Sequence, residues 1–196
     1  MNSSELNSKI HKMIQISSQE SMLLKSIENF YVNLENTYDF LSIINSDSKI
    51  SIRLIDYFVT KFSKKNKVSY KLNENNNQTI FYVFQSYKQQ LKAFQKKNFD
   101  PFARGIRIPY FLQNISLITT IGQLNFFKWF ISKDILNYVK NNKNTIEYDM
   151  NKNKKNKTEP KIKKSIKTYK KNEIKVNIIN PIKSVPKISN HILVTF

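Results

Sequence analysis

A regular stripe of apolar side chains marks residues 20–44. Its members follow one another at alternating spacings of three and four residues: Leu24, Ile27, Tyr31, Leu34, Tyr38 and Leu41. Because an α-helix makes one turn in about 3.6 residues, the spacing predicts a long N-terminal amphipathic helix with all six on one side. Two interpretations stay open. The stripe packs on the protein's own core, or it self-associates as a coiled coil in a homodimer.

The central part of the chain opens with a helix and a β-hairpin. Ser51 is a suitable N-cap, and apolar residues recur at helical spacing as far as Phe62. Two runs rich in β-branched and aromatic residues, 68–72 and 79–84, then flank a polar, Asn-rich segment over 73–78. Such runs joined by a polar turn are typical of a hairpin.

The next segment predicts a helix over 85–97 with two distinct sides. One side is apolar, and the opposite side carries three lysines spaced by four, Lys88, Lys92 and Lys96. A short apolar run over 105–111 predicts a further strand.

Two short helices follow, separated by a turn. Thr120 and Gln123 fit a capping box that starts the first helix. Residues 132–134 can end that helix and cap a second one over 135–139. This arrangement resembles a helix-turn-helix, and a nearby hairpin would suit its winged variant, although the same pattern is common in proteins that never contact DNA.

The amphipathic pattern ends after Met150. Residues 151–196 predict a lysine-rich, largely disordered tail with an apolar terminus, Ile192–Phe196, that docks on the core, docks on a protein partner or stays disordered. The chain thus divides into an N-terminal helical region (1–49), a compact central α+β domain (50–150) and the tail. The predicted fold class is α+β, mostly helical.

The formal net charge of +19 over 196 residues is distributed unevenly. The N-terminal region has 4 basic and 6 acidic residues (−2), the central domain 16 and 6 (+10), and the tail 13 and 2 (+11). A chain rich in Asn, Lys and Ile with two glycines is typical of an A/T-rich genome, so the lysine count alone is a weak indication. The shortage of acidic residues and the regional pattern of charge favour a polyanionic partner. The predicted partner is nucleic acid, with DNA favoured over RNA.

The residue inventory argues against an enzyme. The absence of cysteine excludes disulfides and thiolate metal ligands. Gly105 and Gly122, the two glycines, lie too far apart for a phosphate-binding loop. His11 and His191 fall in segments where we expect a solvated imidazole rather than a metal ligand or a catalytic base. No enzyme activity, metal or cofactor is predicted, and no apolar run is long enough to predict a membrane span.

The candidate nucleic-acid-binding residues are the basic residues of the central domain and of the tail. They are Lys64, Lys65, Lys67, Lys88, Lys92, Lys96, Lys97, Arg104, Arg107, Lys154, Lys155, Lys163, Lys164, Lys170 and Lys171. Arginine offers phosphate a planar fork of donors, and lysine a movable point charge. The other interpretation is a solvated helix face that keeps the domain soluble. Four tyrosines are suited either to stacking on single strands or to core packing: Tyr57, Tyr70, Tyr82 and Tyr87.

The central domain resembles uncharacterised conserved proteins of nucleocytoplasmic large DNA viruses. The likeness rests on four segments within residues 50–150, namely 52–60, 86–93, 99–104 and 119–129, which include the motif Phe-Asp-Pro-Phe and the run Thr-Thr-Ile-Gly-Gln-Leu-Asn-Phe-Phe-Lys-Trp. The resemblance implies an intracellular viral setting, in the virus factory or the virion core. It implies no reaction.

Two hypotheses follow from the sequence. The first is a non-enzymatic, sequence-tolerant nucleic-acid-binding accessory protein of a large DNA virus, acting in genome condensation or late transcription. The second is a structural or scaffolding protein that acts through its N-terminal helix and its C-terminal peptide.

Overall fold

Helices dominate the protein, and two short hairpins complete it. The computed structural model describes residues 3–158 apart from 15, 46, 75–76 and 113–114. The helices are α1 (Ser3–Met13), α2 (Ser18–Tyr31), α3 (Leu34–Ile44), α4 (Ile52–Tyr57), α5 (Ser63–Lys65), α6 (Val83–Phe94), α7 (Ile121–Ser132), α8 (Ile135–Asn141) and α9 (Lys143–Thr158). The strands pair as β1 (Ser69–Glu74) with β2 (Asn77–Tyr82) and β3 (Ile108–Leu112) with β4 (Ile115–Thr119), each antiparallel. The fold class is α+β and mostly helical, as predicted.

Helix α7 lies at the centre of the hydrophobic core. Nine of its twelve residues are buried, among them four large aromatic side chains, Phe126, Phe127, Trp129 and Phe130. A helix that is apolar on nearly every side is stable only when other elements surround it. Helices α2, α3 and α8 pack against it, so the N-terminal helices share one core with the central domain.

The N-terminal stripe forms two helices instead of the predicted single one. Asn33 breaks the helical path with an extended backbone and caps α3, because its side-chain oxygen accepts a hydrogen bond from the Glu35 N–H at 2.8 Å. The break divides the apolar stripe into two halves with different surroundings. Its first half is buried against α7, where the Tyr31 hydroxyl donates to the Leu124 carbonyl. In its second half Leu34 and Tyr38 are 69% and 74% exposed.

The first predicted hairpin and its preceding helix are confirmed. The Ser51 side chain accepts from the Leu54 N–H and caps α4, and β1 pairs with β2 in the expected region. Between α4 and α5 the helix widens into a π-helical turn, Phe58–Phe62. The hairpin packs on the core through Tyr70, whose ring stacks on Tyr138 at a centroid distance of 5.4 Å.

The second hairpin contains one predicted strand and one that was missed. Strand β3 falls in the expected run, whereas β4 was not predicted. Asn7 of α1 binds the edge of β3, since its side chain donates to the Phe111 carbonyl at 2.9 Å and accepts from the Phe111 N–H at 2.8 Å. This double contact satisfies strand-edge groups that would otherwise need water.

The helix predicted over 85–97 is found over Val83–Phe94, so it starts two residues and ends three residues earlier than predicted. It ends at Phe94 because Gln95 takes a left-handed backbone conformation with φ of 58°. Lys96 and Lys97 therefore lie in the following turn. The predicted row of lysines spaced by four is reduced to Lys88 and Lys92.

The two-helix unit after β4 begins at the predicted cap, but its polar side chains form other hydrogen bonds than the predicted capping box. The Thr120 side chain accepts from the Gln123 N–H and caps α7. The Gln123 side chain does not complete the capping box; it accepts from the Thr119 hydroxyl and donates to the Pro101 carbonyl. Asp134 has a left-handed backbone and makes no capping hydrogen bond to α8.

Helix α9 was not predicted and continues through Met150 as far as Thr158. Its first half is held by Ile146, which is fully buried, and by Asp149, which accepts from the Tyr57 hydroxyl at 2.7 Å. Residues 151–158, predicted as the start of the largely disordered tail, are therefore helical, and the rest of the predicted tail, 159–196, lies outside the described residues. In the part of the chain that is described, no helix is long and apolar enough to cross a membrane.

Candidate nucleic-acid interface

The predicted basic residues of the central domain are all exposed, yet they differ in how their charge is balanced. Three of the nine are paired with carboxylates. Lys65 pairs with Asp149, and Lys97 pairs with Glu20 at 2.7 Å. The third pair, between Arg104 and Asp100, lies within the Phe-Asp-Pro-Phe segment. These three cations contribute less to attracting a polyanion than the sequence implied.

Arg104 is fixed in a fork with Asp100. Its Nε donates to Oδ2 at 3.0 Å and its Nη2 to Oδ1 at 2.5 Å, and the guanidinium lies over the Phe102 ring at 5.0 Å. These hydrogen bonds with Asp100 raise the pKa of Arg104. Asp100 is itself buried, with its N–H donating to the Gly122 carbonyl. The fork is thus a structural anchor of this loop on α7.

Glu20 has a similar anchoring role at the start of α2. It is 8% exposed and forms a capping box with Ser17, while its carboxylate receives Lys97. The hydrogen bond from Lys97 and the hydrogen bonds from Ser17 lower the pKa of Glu20 to about 2. Lys97 therefore ties the turn after α6 to the N-terminal helices.

Three other lysines lie at α6 or against it, and they differ from the paired cations. Phe84, Lys88 and Lys92 follow one another at intervals of four and so form one row on the helix surface. The Lys64 ammonium group lies 5.6 Å from the centre of the Phe84 ring. Among the described residues no carboxylate pairs with these three lysines. We name Lys64, Phe84, Lys88 and Lys92 the α6 ridge.

The remaining predicted residues lie outside this ridge. Lys67, Lys96 and Arg107 are exposed in connecting segments. Lys154 and Lys155 belong to the last turns of α9. Four more lie beyond the described residues: Lys163, Lys164, Lys170 and Lys171.

The four candidate stacking tyrosines separate into packed and exposed residues. Tyr57 is 8% exposed, Tyr70 packs on Tyr138, and Tyr87 packs against Phe99 at a ring distance of 6.0 Å. Tyr82 is 46% exposed. Core packing is therefore the role of three of them, and the fourth is accessible.

The self-association stripe is likewise divided. Leu24, Ile27 and Tyr31 are buried in the protein's own core, which is one of the two interpretations left open by the sequence. Leu34 and Tyr38 are exposed, and Leu41 is half-buried. The exposed pair is the part of the stripe that a second protein can reach.

His11 contradicts the expectation of a solvated imidazole. It is 9% exposed, stacks with Tyr110, and its Nε2 has no hydrogen-bond partner. Burial lowers the pKa of His11, because removal from water penalises the charged ring. It borders a cleft of about 650 Å³ between α1 and α2, together with Glu28, whose pKa burial raises. No group of three or more acidic or histidine side chains in the described part of the chain is placed to hold a metal ion.

Taken together, the fold and its surface define a mostly helical α+β protein with a basic ridge at α5 and α6 whose lysines pair with no carboxylate of the described residues. The chain belongs to a family of unknown function (DUF7197), whose model matches residues 1–194. It is also similar to uncharacterized protein L507 of Acanthamoeba polyphaga mimivirus, with 38% identity over 146 residues. That similarity covers 71% of this chain and 56% of the relative, so the chain spans little more than half of the relative's length. No solved structure matches the chain.

The comparisons confirm the resemblance to uncharacterised proteins of large DNA viruses, and with it a viral protein. They extend the likeness beyond residues 50–150, since the family model also includes the N-terminal helices and most of the tail.

Proposed function

We propose that the protein is a non-enzymatic nucleic-acid-binding accessory protein that contacts the phosphate backbone without reading sequence. The observation that carries the proposal is the α6 ridge, where Lys64 lies over Phe84, Lys88 and Lys92 follow on the same helix row, and no carboxylate among the described residues pairs with these lysines. Side chains one helical turn apart are about 6 Å from each other, so neighbouring lysines can contact successive backbone groups.

The chemistry of the ridge supports sequence tolerance. Base-specific recognition relies on planar, bidentate groups such as arginine, asparagine or glutamine held against base edges. Lysine is a flexible point charge that binds phosphate whatever the base. The lysines of the last turns of α9 and of the tail add further sequence-independent attraction.

The viral relative gives this activity a setting. A basic, sequence-tolerant protein of a large DNA virus would act on the genome, in condensation or late transcription, within the virus factory or the virion core. Neutralising phosphates releases counterions, so such binding depends steeply on salt.

A salt titration of binding tests the proposal. Fluorescence anisotropy on a duplex oligonucleotide compares the full chain with the triple variant K64Q/K88Q/K92Q. Each lost phosphate contact lowers the slope of log K against log salt by about 0.9, so we expect the triple variant to lose about 2 to 3 from the slope. The matched control is K12Q/K25Q/K49Q, which removes three exposed lysines from the N-terminal region.

The salt slopes of the two variants distinguish binding at the ridge from binding through total charge. An unchanged slope for the control with a reduced slope for the ridge variant supports the proposal. Equal losses in the two variants would show that binding depends on total charge alone and not on the ridge. Weak, salt-independent binding of the unmodified chain would contradict nucleic-acid binding altogether.

The exposed part of the N-terminal stripe favours a second candidate function, structural or scaffolding assembly. Val32, Leu34 and Tyr38 are 74%, 69% and 74% exposed around the junction of α2 and α3. Clustered apolar side chains on a surface are typical of protein contacts. Light scattering on L34E/Y38E tests it: dissociation of an oligomer that the unmodified chain forms would support assembly, and a monomer in both cases would contradict it.

A further inference from the structure

The outer face of the first hairpin combines an exposed aromatic ring with an aliphatic side chain and a lysine. In the β1–β2 register, Ser69 lies opposite Tyr82 and Lys71 lies opposite Ile80. Directly opposed residues of an antiparallel pair, and residues two apart on a strand, point to the same side. These four residues therefore share one side, which we name the hairpin face.

The hairpin face is open, whereas the other side of the hairpin is packed. Ile80 is 61% exposed and Tyr82 46% exposed. On the opposite side Tyr70 contacts the ring of Phe81 at 5.3 Å and also stacks on Tyr138. The inner side of the hairpin thus packs on the core, and Tyr82 lies on the outer side. The Tyr82 ring makes no stacking contact with another aromatic ring of the described residues.

Lysines lie on the hairpin face and in the chain segments on either side of the hairpin. Lys71 lies on the hairpin face, and Lys67 lies two residues before β1. Tyr82 immediately precedes α6, so the hairpin face adjoins the α6 ridge, where Lys64 lies over Phe84. No described carboxylate pairs with these three lysines. The surface is complementary to a ligand that offers flat apolar rings linked by negative charges.

We propose that the hairpin face is a stacking platform for single-stranded nucleic acid, with Tyr82 against a base and the adjoining lysines on the flanking phosphates. This inference rests on the proposed function and specifies its substrate class. The reason is geometric. In a duplex the flat faces of the bases are covered by their neighbours, whereas a single strand exposes them to an aromatic side chain.

Anisotropy measurements on two labelled ligands test the inference with the full chain. The ligands are an oligothymidylate of about 20 nucleotides, enough to cover the site sizes of single-strand binders, and a duplex of equal length. Loss of one base–aromatic stack weakens single-strand binding by about tenfold or more, so we expect this for Y82A. Duplex binding should change less than about twofold, because duplex contacts are made by phosphate-binding lysines.

Two variants and one direct measurement control the result. Y82F keeps the ring and should keep single-strand affinity, whereas Y38A removes a tyrosine of α3 that is more exposed than Tyr82 and should change neither affinity. The Tyr82 side chain makes no capping hydrogen bond to α6, so its removal leaves that helix start intact. Photo-crosslinking of the unmodified chain to an iodouracil-substituted single strand should modify Tyr82.

The outcomes separate this inference from the proposed function. If Y82A binds single strands as the unmodified chain does, or loses duplex affinity equally, the stacking platform is refuted. Crosslinks that avoid the hairpin face would refute it as well. Either result leaves the proposed function of the α6 ridge supported, provided that K64Q/K88Q/K92Q still lowers the salt dependence of duplex binding. Absence of binding to either ligand refutes the ridge and the platform together.

Discussion

Gly122 is the residue that allows the start of α7 to lie close to the backbone of residues 97–99. It lies in the first turn of α7, against the backbone of the turn that follows α6. A Cβ built on Gly122 would lie 2.8 Å from the Lys97 carbonyl oxygen and 3.3 Å from the Phe99 nitrogen. Because the obstacle is backbone, it cannot move aside as a flexible side chain would.

We therefore expect Gly122→Ala to lower the free energy of unfolding by roughly 1–3 kcal/mol, the usual cost of overpacking. Gly105→Ala is the matched control, since its Cβ would meet no atom closer than 3.7 Å and its change should stay within about 0.5 kcal/mol. Denaturant titration monitored by circular dichroism measures both variants. Equal stability of the two would contradict the close approach at Gly122.

Glu20 predicts a pH dependence of stability. Its folded-state pKa of about 2 lies below the ordinary value of 4.5, so folding favours the carboxylate. The stability that it contributes is complete above about pH 4.5 and is lost as the pH falls towards 2. Glu20→Gln keeps an acceptor for the capping box but removes the charge, and should cost about 1 kcal/mol at pH 6.

Melting curves at pH 6 and pH 3 check this prediction. The difference between the Glu20→Gln variant and the unmodified protein should shrink at the lower pH. Glu147→Gln, which alters a partly exposed pair with Lys143 at 3.6 Å, should show a much smaller difference at pH 6. A constant difference for Glu20→Gln at the two pH values would show that its charge does not stabilise the fold.

At the residue level the sequence identified the basic positions but not their partners. The spacing placed Lys88 and Lys92 on one side of a helix, and the structure agrees. Lys65 is neutralised by an aspartate 84 positions away, a relation that no local pattern reveals. The pair of Asp100 and Arg104, four residues apart, was visible in the sequence as a possible ion pair and was overlooked.

Among the elements, α9 depends most on contacts distant in sequence. The Tyr57 hydroxyl donates to Asp149 at 2.7 Å and accepts from the Asn153 side chain at 2.7 Å. Burial and the hydrogen bond to Asp149 raise the pKa of Tyr57 to about 12, so the hydroxyl keeps its proton at neutral pH. The helix has little apolar surface of its own, which is why its periodicity did not predict it.

Removal of that hydroxyl should loosen α9. We expect Tyr57→Phe to cost about 1–2 kcal/mol, because it removes the hydroxyl that links α4 to the Asp149 and Asn153 side chains of α9. Amide hydrogen exchange over residues 143–158 should become faster, as local opening becomes easier. Tyr148 lies on the same helix and is 71% exposed. In the Tyr148→Phe variant, amide exchange of α9 should therefore match that of the unmodified protein. Unchanged exchange in Tyr57→Phe would contradict this docking.

Most other elements were recognisable from local pattern. Alternating runs and a polar turn predicted the first hairpin, and caps at Ser51 and Thr120 marked two helix starts. The break at Asn33 was missed because the apolar spacing continues across it. Strand β4 was not predicted, although three of its five residues, Ile115, Ile118 and Thr119, are β-branched and favour a strand.

For the whole molecule, aromatic contacts join the N-terminal helices to the centre. Phe40 of α3 meets Phe127 at 5.6 Å, Phe127 meets Phe126, and Phe126 meets Trp129 at 5.7 Å. Trp129 is the only tryptophan of the chain and is 4% exposed. Its fluorescence therefore reports on the shared core.

We expect Phe40→Ala to destabilise the protein by roughly 3–5 kcal/mol, the cost of emptying an aromatic site. Helix loss by circular dichroism and exposure of Trp129 should shift together, because one core unfolds cooperatively. Tyr38→Ala, two residues away but 74% exposed, should shift neither curve appreciably. Separate transitions for the two signals would show that the N-terminal helices unfold independently.

The sequence by itself determined most of the element types, the α+β class, the regional distribution of charge and the absence of cysteine chemistry. These depend on periodicity, capping and composition, which act over a few neighbouring residues. Only the tertiary structure decided which lysines keep an uncompensated charge, which of the four tyrosines is accessible and which half of the N-terminal stripe is buried. Charge pairing and burial are set by contacts between segments far apart in the chain, and folding is what brings those segments together.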